Sequence, residues 1–167
     1  MPPPTQRSDT DQMTRRPRRV SSAAAPVRRR ASLVPAVLLA DPDPEARAMI
    51  RDALLEGTGP ADLRTASSAE EFAAYLEAPD EPTTPAPSLI LLDEELALDA
   101  VRAIRSNPDL RQTPVVVLSR TLDPARTLAA YEAGANTVIA KPVTFLALVK
   151  LMKVFTAYWL EAAELPR

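Results

Sequence analysis

Short apolar runs alternate with helical patterns along this chain from Val34 onward. AVLLA (36–40), SLILLD (88–93) and TPVVVLS (113–119) are apolar through their middles, with no alternating polar positions. Such runs suit strands covered on both faces, as in a parallel sheet. ADLRTA (61–66) and NTVIA (136–140) read as two further strands. Between them, PEARAMIRDALLE (44–56) sets Ala46, Met49, Ile50, Ala53 and Leu54 on one helical face. SAEEFAAYLEA (68–78) opens with a capping box from Ser68 to Glu71 and offers Phe72, Tyr75 and Leu76 for burial. A short helix is expected around 97–106. Another runs from the Asp123-Pro124 cap pair to about Ala133, and a long one from about Val143 to Ala163.

Five strands alternating with five helices predict an α/β fold, a doubly wound five-stranded parallel sheet with right-handed crossovers. Any ligand site then lies beyond the carboxyl ends of the strands. The residues there are Asp41 and Asp43 after strand 1, Asp93 after strand 3, Ser119 after strand 4 and Lys141 after strand 5. Carboxylates, a hydroxyl and an ammonium on one edge suit a divalent cation and a phosphoryl group. Asp93 is placed as a nucleophile that becomes an acyl phosphate. Each residue also has a plain structural reading. Asp41 or Asp43 can cap helix 1, Ser119 can close a turn, and Lys141-Pro142 can lead into the last helix. Four fitting residue types at four strand ends favour the chemical reading jointly.

Composition narrows the field. The chain of 167 residues has no Cys and no His, which excludes thiolate nucleophiles, zinc sites, Ser–His–Asp triads and disulfides. Three glycines exclude a Walker loop and a Rossmann fingerprint. The net charge of -2 conceals a division: residues 1–33 hold eight arginines against two aspartates, and the remainder is strongly acidic. Residues 1–33 are expected to be a disordered basic arm, and 34–167 the folded domain. The arm has no aromatic stacking residue, so it reads as a solvated tail with no nucleic-acid partner. No secretory signal and no membrane-spanning run is visible, which predicts a cytoplasmic protein.

The motifs resemble those of a response-regulator receiver domain. SLILLD is similar to the segment carrying the family's phosphoacceptor, which falls on Asp93; VVVLS is similar to its hydroxyl position, Ser119; GANTVIAKPV is similar to its lysine–proline pair, Lys141-Pro142. TASSAEEFAAYL, IRSNPDLRQTPVVVLS and the ending KPV…FTAYWLEAAELP resemble single-domain regulators that partner bacteriophytochromes. The resemblance implies a CheY/flavodoxin-like sheet of order 2-1-3-4-5 and Mg²⁺ held in part by Asp41. It also implies a sensor histidine kinase of the phytochrome type as phosphoryl donor, and signalling in place of substrate turnover.

Four positions depart from the family pattern. Pro42 stands where the direct metal ligand is usual, and Asp43 reaches that place only if the backbone shifts. The loop after Asp93 is about four residues short, bringing Glu94 and Glu95 beside the acceptor. Arg120 replaces a small residue and Val138 an aromatic one. Weak Mg²⁺ binding is therefore expected, with weak or absent phosphorylation. The rival reading is a phosphorylation-independent pseudo-receiver acting as a dimeric scaffold or kinase antagonist. The last helix carries more apolar residues than one buried stripe needs. Tyr158, Trp159 and Leu160 are expected to form a homodimer or partner interface, against the alternative that they pack on their own domain.

Overall fold

The computed structural model describes residues 35–57, 61–77 and 86–164; the segment expected to be a disordered basic arm, 1–33, lies outside these. The elements run β1 (Ala36–Ala40), α1 (Pro44–Gly57), β2 (Asp62–Ala66), α2 (Ala69–Glu77), β3 (Leu89–Asp93) and α3 (Glu94–Ser106). They continue with β4 (Val115–Ser119), α4 (Pro124–Ala133), β5 (Thr137–Ala140) and α5 (Phe145–Thr156), followed by a wider π-helical segment, Ala157–Ala162. All strand pairs are parallel, in the order β2-β1-β3-β4-β5, as expected.

Every residue of β1, β3 and β4 is buried, which explains their unbroken apolar runs. Side chains of a strand alternate between faces, so the same three strands feed two cores. Leu38, Ile90, Leu92, Val115 and Val117 pack with Phe72 of α2, Val101 and Ile104 of α3 and Ala130 of α4. Val37, Leu39, Leu89, Leu91, Val116 and Leu118 pack with Ile50 and Leu54 of α1 and Leu148, Met152 and Phe155 of α5. β2 and β5 are edge strands and are only half-buried along most of their length.

Arg105, near the end of α3, anchors the far end of the sheet. Its guanidinium donates to the carbonyls of Gly134 (2.9 Å), Arg111 (3.0 Å) and Thr113 (2.9 Å) and to Asn136 Oδ1 (2.9 Å). Gly134 ends α4 at φ 108°, and a Cβ there would meet Arg105 Cγ at 3.0 Å, so this turn requires glycine.

Two helices differ from expectation. α3 begins at Glu94, three residues early, because Asp93 is its N-cap and no connector separates strand from helix. α5 starts at Phe145 behind the cap Thr144, and its regular part stops at Thr156. Phe145, at the start of α5, is 39% exposed; Leu148, Val149, Met152 and Phe155 form the buried face. The proposed interface trio divides. Trp159 and Leu160 pack against the α1/α5 core, while Tyr158 is 58% exposed and meets Trp159 edge to face at 5.0 Å.

Candidate functional site

The site forms where β1, β3, β4 and β5 end along the carboxyl edge of the sheet. Asp41 and Asp93 follow fully buried apolar strand residues and are themselves 0% exposed. Lys141 enters from the end of β5, where its N–H donates to the Ser119 carbonyl at 2.7 Å. That anchor aims its side chain between the two acids. Its Nζ donates to Asp41 Oδ2 at 2.7 Å and to Asp93 Oδ2 at 2.5 Å.

The remaining carboxylate oxygens are also engaged. Asp41 Oδ1 accepts the Asp43 N–H at 2.9 Å, and Asp93 Oδ1 accepts the Glu95 N–H at 2.9 Å as the cap of α3. The Asp41 carbonyl accepts from Arg47 at 2.6 Å. Among the described residues, every buried side-chain nitrogen or oxygen has a hydrogen-bond partner.

Asp43 is not drawn into this triad. Its Oδ1 caps α1, accepting the N–H groups of Glu45 (2.9 Å) and Ala46 (3.3 Å), and its Oδ2 lies 3.6 Å from the Arg120 guanidinium. The Ala46 and Glu45 amides hold its carboxyl below the usual carboxylate range, with a smaller contribution from Arg120. The capping reading of Asp43-Pro44 is the one realised.

Ser119 is buried at the end of β4, and its hydroxyl donates to Glu94 Oε2 at 2.7 Å. Glu94 Oε1 accepts the Arg120 N–H at 3.1 Å. Ser119 Oγ in turn accepts the Leu122 N–H at 3.0 Å, closing a turn in which Leu122 has φ 46°. A leucine in the left-handed region is strained, and strain of this kind concentrates at functional loops. Beside this corner, a cavity of about 400 Å³ opens between α3 and α4, lined by Leu98, Arg126, Ala130 and Val138 among others.

The engagement of Glu94 by Ser119 and Arg120 was not legible in the sequence. Only its negative charge near Asp93 could be read, because its reach depends on α3 starting without a connector. Asp41, Asp93 and Lys141 do converge, and Ser119 adjoins them through Glu94.

Asp41 and Asp93 are the carboxylates that would hold a divalent cation at this edge. Mg²⁺ takes six oxygens in near-octahedral geometry. Here two carboxylates converge, Pro42 has no side-chain oxygen, and an ammonium already bridges the pair. Among the described residues, no group of three acidic, His or Cys side chains could hold a metal.

This sheet order, with an aspartate at the end of β3 facing a lysine from β5, defines a receiver-type signalling domain. Residues 37–153 match the response regulator receiver domain family, and the chain belongs to it. Response regulator Rcp1 of Synechocystis sp. is 34% identical over 87 residues, 50% of this chain and 59% of that protein. The chain thus aligns with little more than half of that relative's length. The phosphorylated cyanobacterial phytochrome response regulator RcpA has a similar structure: TM-score 0.73, 29% identity, 80% of this chain and 99% of the other. The Mn²⁺-bound form of Rcp1 gives a TM-score of 0.70 at 27% identity, with the same coverage. Among the described residues, no helix is long and apolar enough to cross a membrane.

Proposed function

We propose that the protein is an atypical single-domain response regulator, serving a phytochrome-type sensor histidine kinase in the cytoplasm. Asp93 receives the phosphoryl group weakly, and output passes through protein contacts in place of substrate turnover. The observation that carries this reading is the buried triad, in which Lys141 already bridges Asp41 and Asp93 beside Pro42, one cation against two carboxylates. An internal cation at that point competes with Mg²⁺, and without strong metal binding the charge developing in transfer lacks its main stabiliser. In the transfer, Asp93 Oδ2 attacks phosphorus, an O–P bond forms and the N–P bond of the kinase phosphohistidine breaks. The leaving imidazole takes up a proton. Ser119 and Lys141 are the contacts for the new phosphoryl oxygens.

The exposed side of α5 and of the π-helical segment after it supports self-association. Leu146 (65%), Val154 (70%) and Tyr158 (58%) recur at helical spacing on the solvent face, continuing the apolar surplus that the sequence shows. Tyr158 belongs to this surface; Trp159 and Leu160 support it from behind. A second reading, a phosphorylation-independent scaffold or kinase antagonist, draws on Ser119 being occupied by Glu94.

Intact-mass measurement after incubation with Mg²⁺ and an acyl phosphate or the partner kinase tests the first reading. A slow, partial adduct, lost in Asp93→Asn, is expected. No adduct even with the kinase would move the assignment to the scaffold, and rapid stoichiometric labelling would overturn the weak-acceptor reading.

A further inference from the structure

Glu94 makes contacts that neither a solvated surface acid nor a simple helix start requires. Its two carboxylate oxygens separately take the Ser119 hydroxyl at 2.7 Å and the Arg120 backbone N–H at 3.1 Å. One hydroxyl and one main-chain amide, convergent at a strand end, form an oxyanion-binding corner. The carboxylate fills it. Its position follows from chain length: with Asp93 as N-cap, Glu94 is the first residue of α3. An anionic side chain is favoured there by the positive end of the helix. Arg120 is fixed from its other end as well, its guanidinium facing Asp43 at 3.6 Å.

We propose that Glu94 is the resident anion of the phosphoryl-receiving corner and holds down acceptance of phosphate by Asp93. This rests on the reading of Asp93 as acceptor. A phosphoryl group built on Asp93 brings in oxygens that need the Ser119 and Arg120 donors. While Glu94 holds both, the incoming group meets an occupied site and a further negative charge beside Asp41 and Asp93. The carboxylate must swing out before transfer proceeds. Glu94 thus acts as a positioning residue that keeps Ser119 committed to an internal partner.

The test compares wild type with Glu94→Ala, Glu94→Gln and Glu94→Asp, each treated with an acyl phosphate and Mg²⁺ and followed by intact mass over time. Asp93 attacks phosphorus, forming the O–P bond, and the donor's acyl carboxylate leaves. Glu94→Ala is expected to accelerate the adduct by about tenfold or more, the scale of one like charge removed at a half-exposed site. Glu94→Gln, nearly isosteric but neutral, accelerates it less, and Glu94→Asp restores a rate near wild type. Every adduct disappears when Asp93→Asn is added.

Unchanged or slower labelling in both Glu94→Ala and Glu94→Gln overturns the proposal, and so does absence of adduct in every protein. Circular dichroism melting establishes that each variant is folded. If Glu94→Ala is not, the Glu94→Gln comparison decides. The wild-type rate by itself judges the weak-acceptor reading, whereas the variant-to-wild-type ratio judges Glu94, so the two fail separately. A second readout is the backbone amide resonance of Arg120, which should shift with inorganic phosphate in Glu94→Ala and stay fixed in wild type. A merely structural Glu94 would not produce that difference.

Discussion

Replacing Lys141 with methionine tests the electrostatics of the buried triad most directly. Methionine keeps most of the length and apolar volume of the lysine stem but removes the ammonium. Asp41 and Asp93 would then face each other without a counter-charge, their side chains at most 1% exposed. Breaking a buried ion pair by deleting one partner costs about 3–5 kcal/mol, because the remaining charge stays desolvated. A domain of this size is stable by roughly 5–15 kcal/mol in all, so the variant should fold with a much reduced margin. Urea unfolding followed by circular dichroism at neutral pH measures the loss through the midpoint at constant slope. The double variant Asp41→Asn/Lys141→Met removes one of the two stranded charges and should recover at least about 1 kcal/mol of it. A loss below about 1 kcal/mol for Lys141→Met, the level of a solvent-exposed pair, would refute the claim that the triad is buried and tightly coupled. So would a double variant less stable than the single one.

Two further outcomes follow from contacts outside the triad. Asp43→Ala should lower the urea midpoint at neutral pH by uncapping α1. The folded-state carboxyl is held below its ordinary value of 3.8, so its contribution is present above that value and is lost as pH falls through the folded one. The gap between wild type and variant should therefore close in acid, and a gap that persists there would contradict the cap. Arg105→Met should destabilise by about 2 kcal/mol in urea melts, since its charged hydrogen bonds reach three carbonyls and an amide. Arg105→Lys should not rescue it, because one ammonium cannot reproduce the planar fork.

The sheet was legible because β1, β3 and β4 are buried on both faces, which leaves no polar position inside them. The site was legible for the same reason: in a parallel sheet, the first polar residue after each buried run falls on one edge, and those residues are Asp41, Asp93, Ser119 and Lys141. What depends on side-chain reach was not legible. α3 starts ahead of its apolar pattern because Asp93 serves as its cap, while EEL lacks apolar periodicity. The inward packing of Trp159 and Leu160, and the exposure of Phe145, depend on how α5 lies across α1. Amphipathic pattern alone does not fix that when a helix is apolar nearly all round. The span of Arg105 joins four loop acceptors, two of them about thirty residues away at Gly134 and Asn136, and nothing in its local surroundings marks it.

The double duty of Asp93 bears on how the protein should be studied in cells. Its carboxylate is at once the proposed acceptor and the first hydrogen-bond partner of α3. Aspartate-to-glutamate exchange, often chosen to imitate a permanently charged state, would lengthen the side chain by one methylene and pull the cap out of register. A phenotype of Asp93→Glu would then report a frayed helix start as readily as a signalling state. Asparagine keeps the reach and the capping oxygen, and gives up the proposed nucleophile together with the oxygen that Lys141 holds, so Asp93→Asn is the more informative allele for genetics on this regulator.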